Sequence, residues 1–511
     1  MERDSWKEYK GQILLACKGP DMGLSKSPLF RLPRGSRLQL RDQICEVVSA
    51  AIARGALAPD LALPSCRELA QQLRVSRNTV FAAYSRLVDE GLLEARDRSG
   101  YYVASAESRL IRPESESDED DPVAPSPMPG LAMPPSRMVH VRHPEDWSHY
   151  PYPFIYNQTD PRFFPIDAWR ECSRQALSRR TVADWTRDSI KGDSPHLLQQ
   201  IRQRLLVYRG IAATNEEVMI TLGAQNALSI IGLLMRNAEG SVAVEDPGFP
   251  DARNAFLVAG NRLSPVPVDT GGLVVEALPR NCKLVYVTPS HQFPTSVTMA
   301  HNRREALLAA ASRHRFLILE DDYEAELDTV KKPEPSLRAI DTTGRVIYVG
   351  SMSKTLSPGL RLGFIVAHRD VISEARAVRH AMLRHAPTLM QETMAYFLRL
   401  GYYDIHLRRS VRRRRERWQR MDAAVRDYLP QFAVQSSGGT SFWLTGPEGF
   451  DSSDFCRRLL ARGVIVDDGA VFYMHGDIRR SFRMSFALAD AVQIDAGIRL
   501  IAEEAESLPP P

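Results

Sequence analysis

Along positions 36–104 the apolar residues recur at helical spacing and then alternate. "RLQLRDQICEVVSAAIARG" spaces Leu, Ile, Val and Ala as one face of a helix and stops at Gly55. "LPSCRELAQQLRV" predicts a second helix, because Ser65 can cap it and Glu68, three residues on, completes a capping box. "SRNTVFAAYSRLVDEGLLEA" predicts a third, capped by Ser76 and ended by Gly91, with Tyr84, Leu87 and Val88 on its core face. "LLEARDRSGYYVA" then reads as two short strands around Arg96, Arg98, Ser99 and Gly100.

From about 145 to 508 the pattern changes. Apolar strand-like runs ("VAVEDP", "KLVYVTP", "FLILEDD", "RVIYVG", "LGFIVA") alternate with amphipathic helical stretches. Such alternation predicts an α/β body with a mostly parallel sheet covered by helices. Between the two parts lies "SAESRLIRPESESDEDDPVAPSPMPGLAMPPSRM", acidic first and then rich in Pro, Ser and Met. It holds too little apolar surface to offset its ordering entropy and reads as a linker. At ~3 Å per residue, about thirty extended residues reach on the order of 90 Å. The expected division is a tail 1–35, a helical module 36–104, a linker 105–144 and a body 145–508.

Composition changes this picture little. With 511 residues, 44% hydrophobic and 25% charged, the chain is an ordinary multidomain globular protein. A net charge of +4 is too small to argue for nucleic acid, so clustering must carry that case. The six cysteines are scattered without a CxxC pair, which argues against a disulfide framework and against a metal site. No apolar run is long enough for a membrane span and the N-terminus does not read as a signal peptide, so a cytoplasmic protein is expected. "RRSVRRRRERWQR", Arg408 to Arg420, reads as a long helix whose basic face is solvated or paired with the acidic linker, in preference to a secondary DNA contact.

The module's helix, short turn and helix suit double-stranded DNA. The N-terminal end of the third helix carries Ser76, Arg77, Asn78 and Thr79, small or polar residues able to enter a major groove. Arg67 can hold a phosphate, and Arg96 and Arg98 in the wing suit the backbone or minor groove. The segment resembles the winged helix of GntR-type bacterial repressors in "LPS.RELA..L.VSR.TV..AY..L..EG".

In the body, Lys354 stands in "SMSKTLSPGLRLGF", among small residues after an apolar run. A nucleophilic amine needs that setting: burial or a nearby cation lowers a pKa that is ordinarily about 10.4. The companion groups of a pyridoxal phosphate site can be found in turn. Gly223, Ala224 and Gln225 stand where a strand becomes a helix, and Ser351 and Arg361 flank the lysine, all suited to phosphate. Asp321 in "FLILEDDYEAEL" can stabilise a pyridinium and Tyr323 a ring hydroxyl; Asp322 points the other way by strand alternation. Phe249 can stack on the ring, His291 or Gln292 can approach its oxygen, and Arg483 suits a carboxylate.

The body resembles fold-type I aminotransferases, and its fusion to a GntR-like winged helix resembles the MocR/GabR regulators. The most specific stretches are "TPSHQFPT", "EDDYEAE" and "SMSKTLSPGLRLGF". The resemblance implies Lys354 as the aldimine lysine, Asp321 on the pyridinium, Tyr323 on the ring hydroxyl, Arg361 on phosphate and Arg483 on an effector carboxylate. It implies a head-to-tail homodimer that binds an operator, and an amino acid or amine sensed by external aldimine formation. The competing readings are an active aminotransferase with a fused helical module, and a DNA-binding protein on a vestigial scaffold. Two departures stand out: Ser296 where the family often has Gly, and Phe249 in place of a common Tyr.

Overall fold

The computed structural model describes residue 32 and residues 39–53, 56–58, 61–96, 99–104, 135–156, 158–188, 192–324, 326, 334–352, 354–436, 438–474, 478 and 480–506. Gly55, Arg98, nearly all of the 1–35 tail and the acidic part of the linker lie outside the described residues. The chain divides into two compact units, Met1–Gly130 and Leu131–Pro511.

In the first unit, α1 (Leu40–Ala53), α2 (Cys66–Leu73) and α3 (Arg77–Asp89) are followed by strands β1 (Leu93–Arg96) and β2 (Gly100–Val103). Ser65 caps α2 through a complete capping box with Glu68, and Arg74 closes the helix with φ 55°. Ser76 caps α3 by accepting from the Thr79 amide at 3.1 Å. Gly91 then leaves the helix at φ 70°, a left-handed conformation that costs glycine little. Ile44, Val48 and Ile52 of α1 pack on Leu69 of α2 and on Val80, Ala83, Tyr84 and Leu87 of α3. β1 and β2 pair antiparallel from Leu93↔Val103 to Arg96↔Gly100.

The second unit is built on an eight-stranded sheet. β3 (Tyr152–Pro153) lies apart from it. The sheet strands are β4 (Val218–Thr221), β5 (Ser241–Asp246), β6 (Leu263–Asp269), β7 (Gly272–Leu273), β8 (Cys282–Val287), β9 (Leu317–Asp322), β10 (Val346–Ser351) and β11 (Gly363–Val366). Their order is β4-β11-β10-β9-β8-β5-β6-β7. β6, β5, β8, β9 and β10 run parallel, while β11 is antiparallel to both its neighbours. Alternate residues serve opposite faces. Met219, Val244, Tyr286, Leu319, Ile347 and Ile365 join one core. Ile220, Tyr348 and Phe364 join a second, with helices covering both faces.

A smaller sheet follows: β12 (Ala433–Gln435), β13 (Ser441–Thr445), β15 (Asp467–Asp468) and β16 (Ser481–Ser485), in the order β12-β13-β16-β15, with β14 (Val464–Ile465) pairing β3. Phe442, Leu444, Phe482 and Met484 pack on the helices Ser452–Ala461 and Ala491–Ala505. Trp443, Arg483 and Asp467 lie side by side in register on the opposite face. No helix of the described residues is long and apolar enough to cross a membrane.

Candidate functional sites

Register brings the body's candidates to one sheet edge. Asp321 pairs with Val349 and Asp322 with Gly350. Ser351 at the end of β10 lies opposite Gly363, and Gly363 lies opposite Thr221 at the end of β4. Gly223 therefore starts its helix beside Gly363 of β11, one strand away from the β10 end that leads into Lys354. That start is crowded. A Cβ on Gly223, which has φ +79°, would meet Arg361 Nη2 at 3.2 Å, and a Cβ on Gly363 would meet the Gly223 backbone at 2.9 Å. Arg361, itself at φ 48°, donates to the Leu222 carbonyl at 3.0 Å. A guanidinium and a helix N-terminus thus share one small concavity, the arrangement that holds a phosphate. Gln225 turns away from it and donates to the Asp251 carbonyl at 2.9 Å.

The second half of the site surrounds the amine. Lys354 Nζ stands 3.5 Å from the ring centroid of Tyr156 and 5.7 Å from that of Tyr323. Burial pushes its pKa down to about 7; Arg483 and Arg414 add to the shift, and the carboxylates of Glu324 and Asp321 oppose it. Asp321 is buried, with Oδ2 accepting from the Tyr286 hydroxyl at 3.0 Å. Burial raises its carboxyl to about 7, against the Tyr286 hydrogen bond. Its Oδ1 meets no hydrogen-bond partner among the described residues. Asp322 does point the other way: it accepts from Arg209 at 2.7 Å and from the Tyr348 hydroxyl at 3.1 Å. Those bonds tie Asp322 Oδ2 to the framework, and its Oδ1 also meets no hydrogen-bond partner among the described residues; Asp321 is the carboxyl that feels the Lys354 amine.

Aromatic rings cluster beside the amine. Phe249 and Tyr156 meet Phe293 edge-on at 5.0 and 4.8 Å. Tyr323 donates to the His291 carbonyl at 2.9 Å, which fixes the ring beside Phe293. His291 itself is buried, and Gly439 lets the smaller lobe's loop approach it and Glu324. The Arg483 guanidinium lies over Phe293 at 4.5 Å and over Tyr156 at 5.0 Å. Asp467 holds its Nη1 at 3.2 Å and is held in turn by His143 at 2.7 Å. Arg483 Nε meets no hydrogen-bond partner among the described residues.

Ser296 keeps the turn that the family often builds with Gly. It sits at φ 60°, and its hydroxyl donates to the Ser441 carbonyl at 3.1 Å. Tyr156, Tyr286, Glu324, Arg414 and Asp467 were not found by sequence reasoning. Their partners are remote in the chain, although Tyr286 lies in "KLVYVTP", Glu324 in "EDDYEAE" and Arg414 in the basic run.

In the first unit, Arg67, Ser76, Arg77 and Asn78 are exposed and Thr79 is half-buried. Thr79 and Ser76 bond each other at 2.8 Å, so these two hydroxyls build the helix start. Exposed Phe81 shares a face with Arg77 and Asn78 one turn earlier. In the wing, Arg96 stacks on Tyr102 at 4.4 Å.

Comparison with known proteins agrees with both parts. Residues 40–103 match the family model "Bacterial regulatory proteins, gntR family", and residues 157–501 match "Aminotransferase class I and II". The chain is 40% identical over 485 residues to the HTH-type transcriptional regulator TauR of Rhodobacter capsulatus, covering 93% of this chain and 98% of that one. It is 32% identical to the probable rhizopine catabolism regulatory protein MocR of Rhizobium meliloti, covering 84% and 83%. Among solved structures, Pyrococcus horikoshii kynurenine aminotransferase superposes with a TM-score of 0.66 at 28% identity, over 71% of this chain and 93% of that one. The chain belongs to the MocR-type transcriptional regulators, in which a GntR winged helix is fused to an aminotransferase class I and II domain. The body therefore has the fold of pyridoxal-phosphate-dependent aminotransferases, and the whole is a DNA-binding regulator.

Proposed function

We propose that the body binds pyridoxal phosphate at Lys354 and takes an amino acid or amine there as effector, and that this changes the grip of paired N-terminal units on an operator. The observation that carries the reading is the Asp321 carboxylate: buried, bonded on one oxygen to Tyr286, and bare on the other. Leaving a buried acceptor unmet is costly, so the site is shaped for a donor that the chain does not supply. A pyridinium N–H is such a donor.

Bound there, pyridoxal phosphate supplies an aldehyde that condenses with amines and a ring nitrogen that draws electrons. The residues divide the remaining work. Gly223, Ala224, Ser351 and Arg361 would line the end that takes the phosphate, with Gln225 offering its backbone N–H while its side chain is held by the Asp251 carbonyl. Phe249 would face the ring, and His291 and Tyr323 would hold its hydroxyl. Lys354, neutral in a large fraction near pH 7, is a nucleophile without further deprotonation. Arg483, stacked between rings with an unmet Nε, receives the effector's acid group. Arg67, Arg77, Asn78 and Thr79 meet the operator, with Ser76 fixing the helix start and Arg96 and Arg98 in the wing. Two copies arranged head to tail in the cytoplasm would read two half-sites.

An effector shifts the regulator only if it binds one arrangement of the units better than another. Absorbance spectra of purified protein loaded with pyridoxal phosphate test the reading. Wild type shows a visible band and Lys354→Ala does not. An unchanged spectrum in the variant would refute it.

A further inference from the structure

The basic run Arg408–Arg420 lies within one long helix, Tyr402–Tyr428, and its arginines divide by face. Arg408, Arg409, Arg412 and Arg415 are exposed, while Arg413, Arg414 and Arg417 are half-buried against the body. Arg413 stacks on Phe163 at 4.1 Å, and Arg417 bonds the Ala487 carbonyl. Arg414 reaches the turn that carries the amine, where its Nη2 donates to the Lys354 carbonyl at 3.0 Å. The same helix meets this turn twice more. His406 Nε2 stands 2.8 Å from the Thr355 carbonyl. Tyr403 bonds Glu326, whose Oε2 accepts from the Thr355 hydroxyl at 3.3 Å.

We propose that Arg414 is a positioning residue for Lys354: it pins the turn through the carbonyl and sets a second guanidinium charge, beside that of Arg483, near the amine. Two cations near a lysine disfavour its protonated form, and the solvated-face reading of the run does not account for a guanidinium in this place. Every charged group around the amine has a definite sign. Arg483 and Arg414 repel its proton, while Glu324 and Asp321 attract it. Arg414 is itself pushed down to about 10 by burial, against the attraction of Glu324, so it stays charged near pH 7. Removing it takes away one repulsion and frees Glu324 to attract the lysine proton. Both changes raise the amine's pKa.

The proposal rests on Lys354 being the residue that captures the cofactor. Its test is the rate at which full-length protein, stripped of cofactor, develops the visible band after mixing with pyridoxal phosphate, across about pH 6 to 10. In wild type the rate rises with a midpoint near 7, following the neutral amine. In Arg414→Gln the midpoint moves upward; one unit of movement leaves roughly tenfold less neutral amine at pH values below both midpoints. Arg414→Lys, which restores a cation, stays closer to wild type. Arg417→Gln, an arginine of the same helix bonded to Ala487 instead, keeps the wild-type midpoint, which separates charge at the amine from general loosening. A midpoint unmoved in Arg414→Gln, or moved equally in Arg417→Gln, would overturn the proposal. Absence of any Lys354-dependent band in wild type would instead overturn the cofactor reading beneath it.

Discussion

The winged-helix unit and the cofactor pocket carry function in opposite ways. In the first, Arg67, Arg77 and Asn78 are exposed and lie within two short, consecutive helix starts. In the second, Asp321, His291 and Arg483 are buried, and the groups that act together come from positions as distant as Tyr156, Gly223, Lys354 and Arg483. An exposed side chain keeps its ordinary chemistry and works through charge and shape against a large partner. A buried one is altered by its surroundings, as the lowered amine of Lys354 and the raised carboxyl of Asp321 illustrate. The first unit can thus be changed residue by residue, whereas a change in the pocket is felt by the whole cluster.

That contrast predicts the largest stability effect at Asp321. Burial raises its carboxyl from an ordinary 3.8 to about 7, so in cofactor-free protein its contribution to stability is present below 3.8 and is lost as pH rises toward 7. Asp321→Asn does not titrate. Cofactor-free wild type should lose ~2–3 kcal/mol relative to Asp321→Asn between about pH 5 and 8, measured by urea unfolding at each pH. Equal pH dependence of the two proteins would break the comparison.

In the exposed unit the expected effect is on binding. Arg77→Ala should weaken operator affinity by ~1–3 kcal/mol, or about five- to 150-fold, while the visible band of the cofactor is retained. Fluorescence anisotropy with operator DNA and an absorbance scan of the same sample check both halves. Retained affinity would count against α3 as the reading helix.

The smallest effect falls on Ser296, where two small terms oppose. Ser296→Gly relieves a left-handed conformation worth about 1–2 kcal/mol in a non-glycine residue and loses a hydroxyl bond worth ~1 kcal/mol. Thermal unfolding of the holo protein should therefore move by no more than ~1 kcal/mol. Ser296→Val should be clearly destabilised, since a β-branched residue in that conformation has strain and no hydroxyl.

What the sequence disclosed follows the same contrast. Ser65 with Glu68, Ser76 with Thr79 and Gly91 are local devices, and each does in the structure what its spacing implied. The strand ends at Gly223, Asp321 and Ser351 were legible because alternating runs show where a sheet edge falls. The opposite orientations of Asp321 and Asp322 followed from strand alternation. Tyr156 against the lysine, Tyr286 under Asp321 and Asp467 beside Arg483 were not legible, because each contact joins segments far apart in the chain. The basic run was legible only in part: the long helix and its exposed arginines agree with the expected solvated stripe, but the inward arginines were missed for the same reason. Like charges in a row suggest a solvated stripe, and only the helix's docking reveals which guanidinium turns inward.

The central claim joins the two regions: an amine taken at the buried site alters the grip of the exposed one. Full-length protein carrying pyridoxal phosphate and labelled operator DNA can be titrated with a panel of amino acids and amines, with absorbance and anisotropy read in the same cuvette. For an effector, the two signals should change together with one midpoint, and both responses should vanish in Lys354→Ala. A spectrum that saturates for every amine of the panel while DNA affinity stays constant would contradict the account.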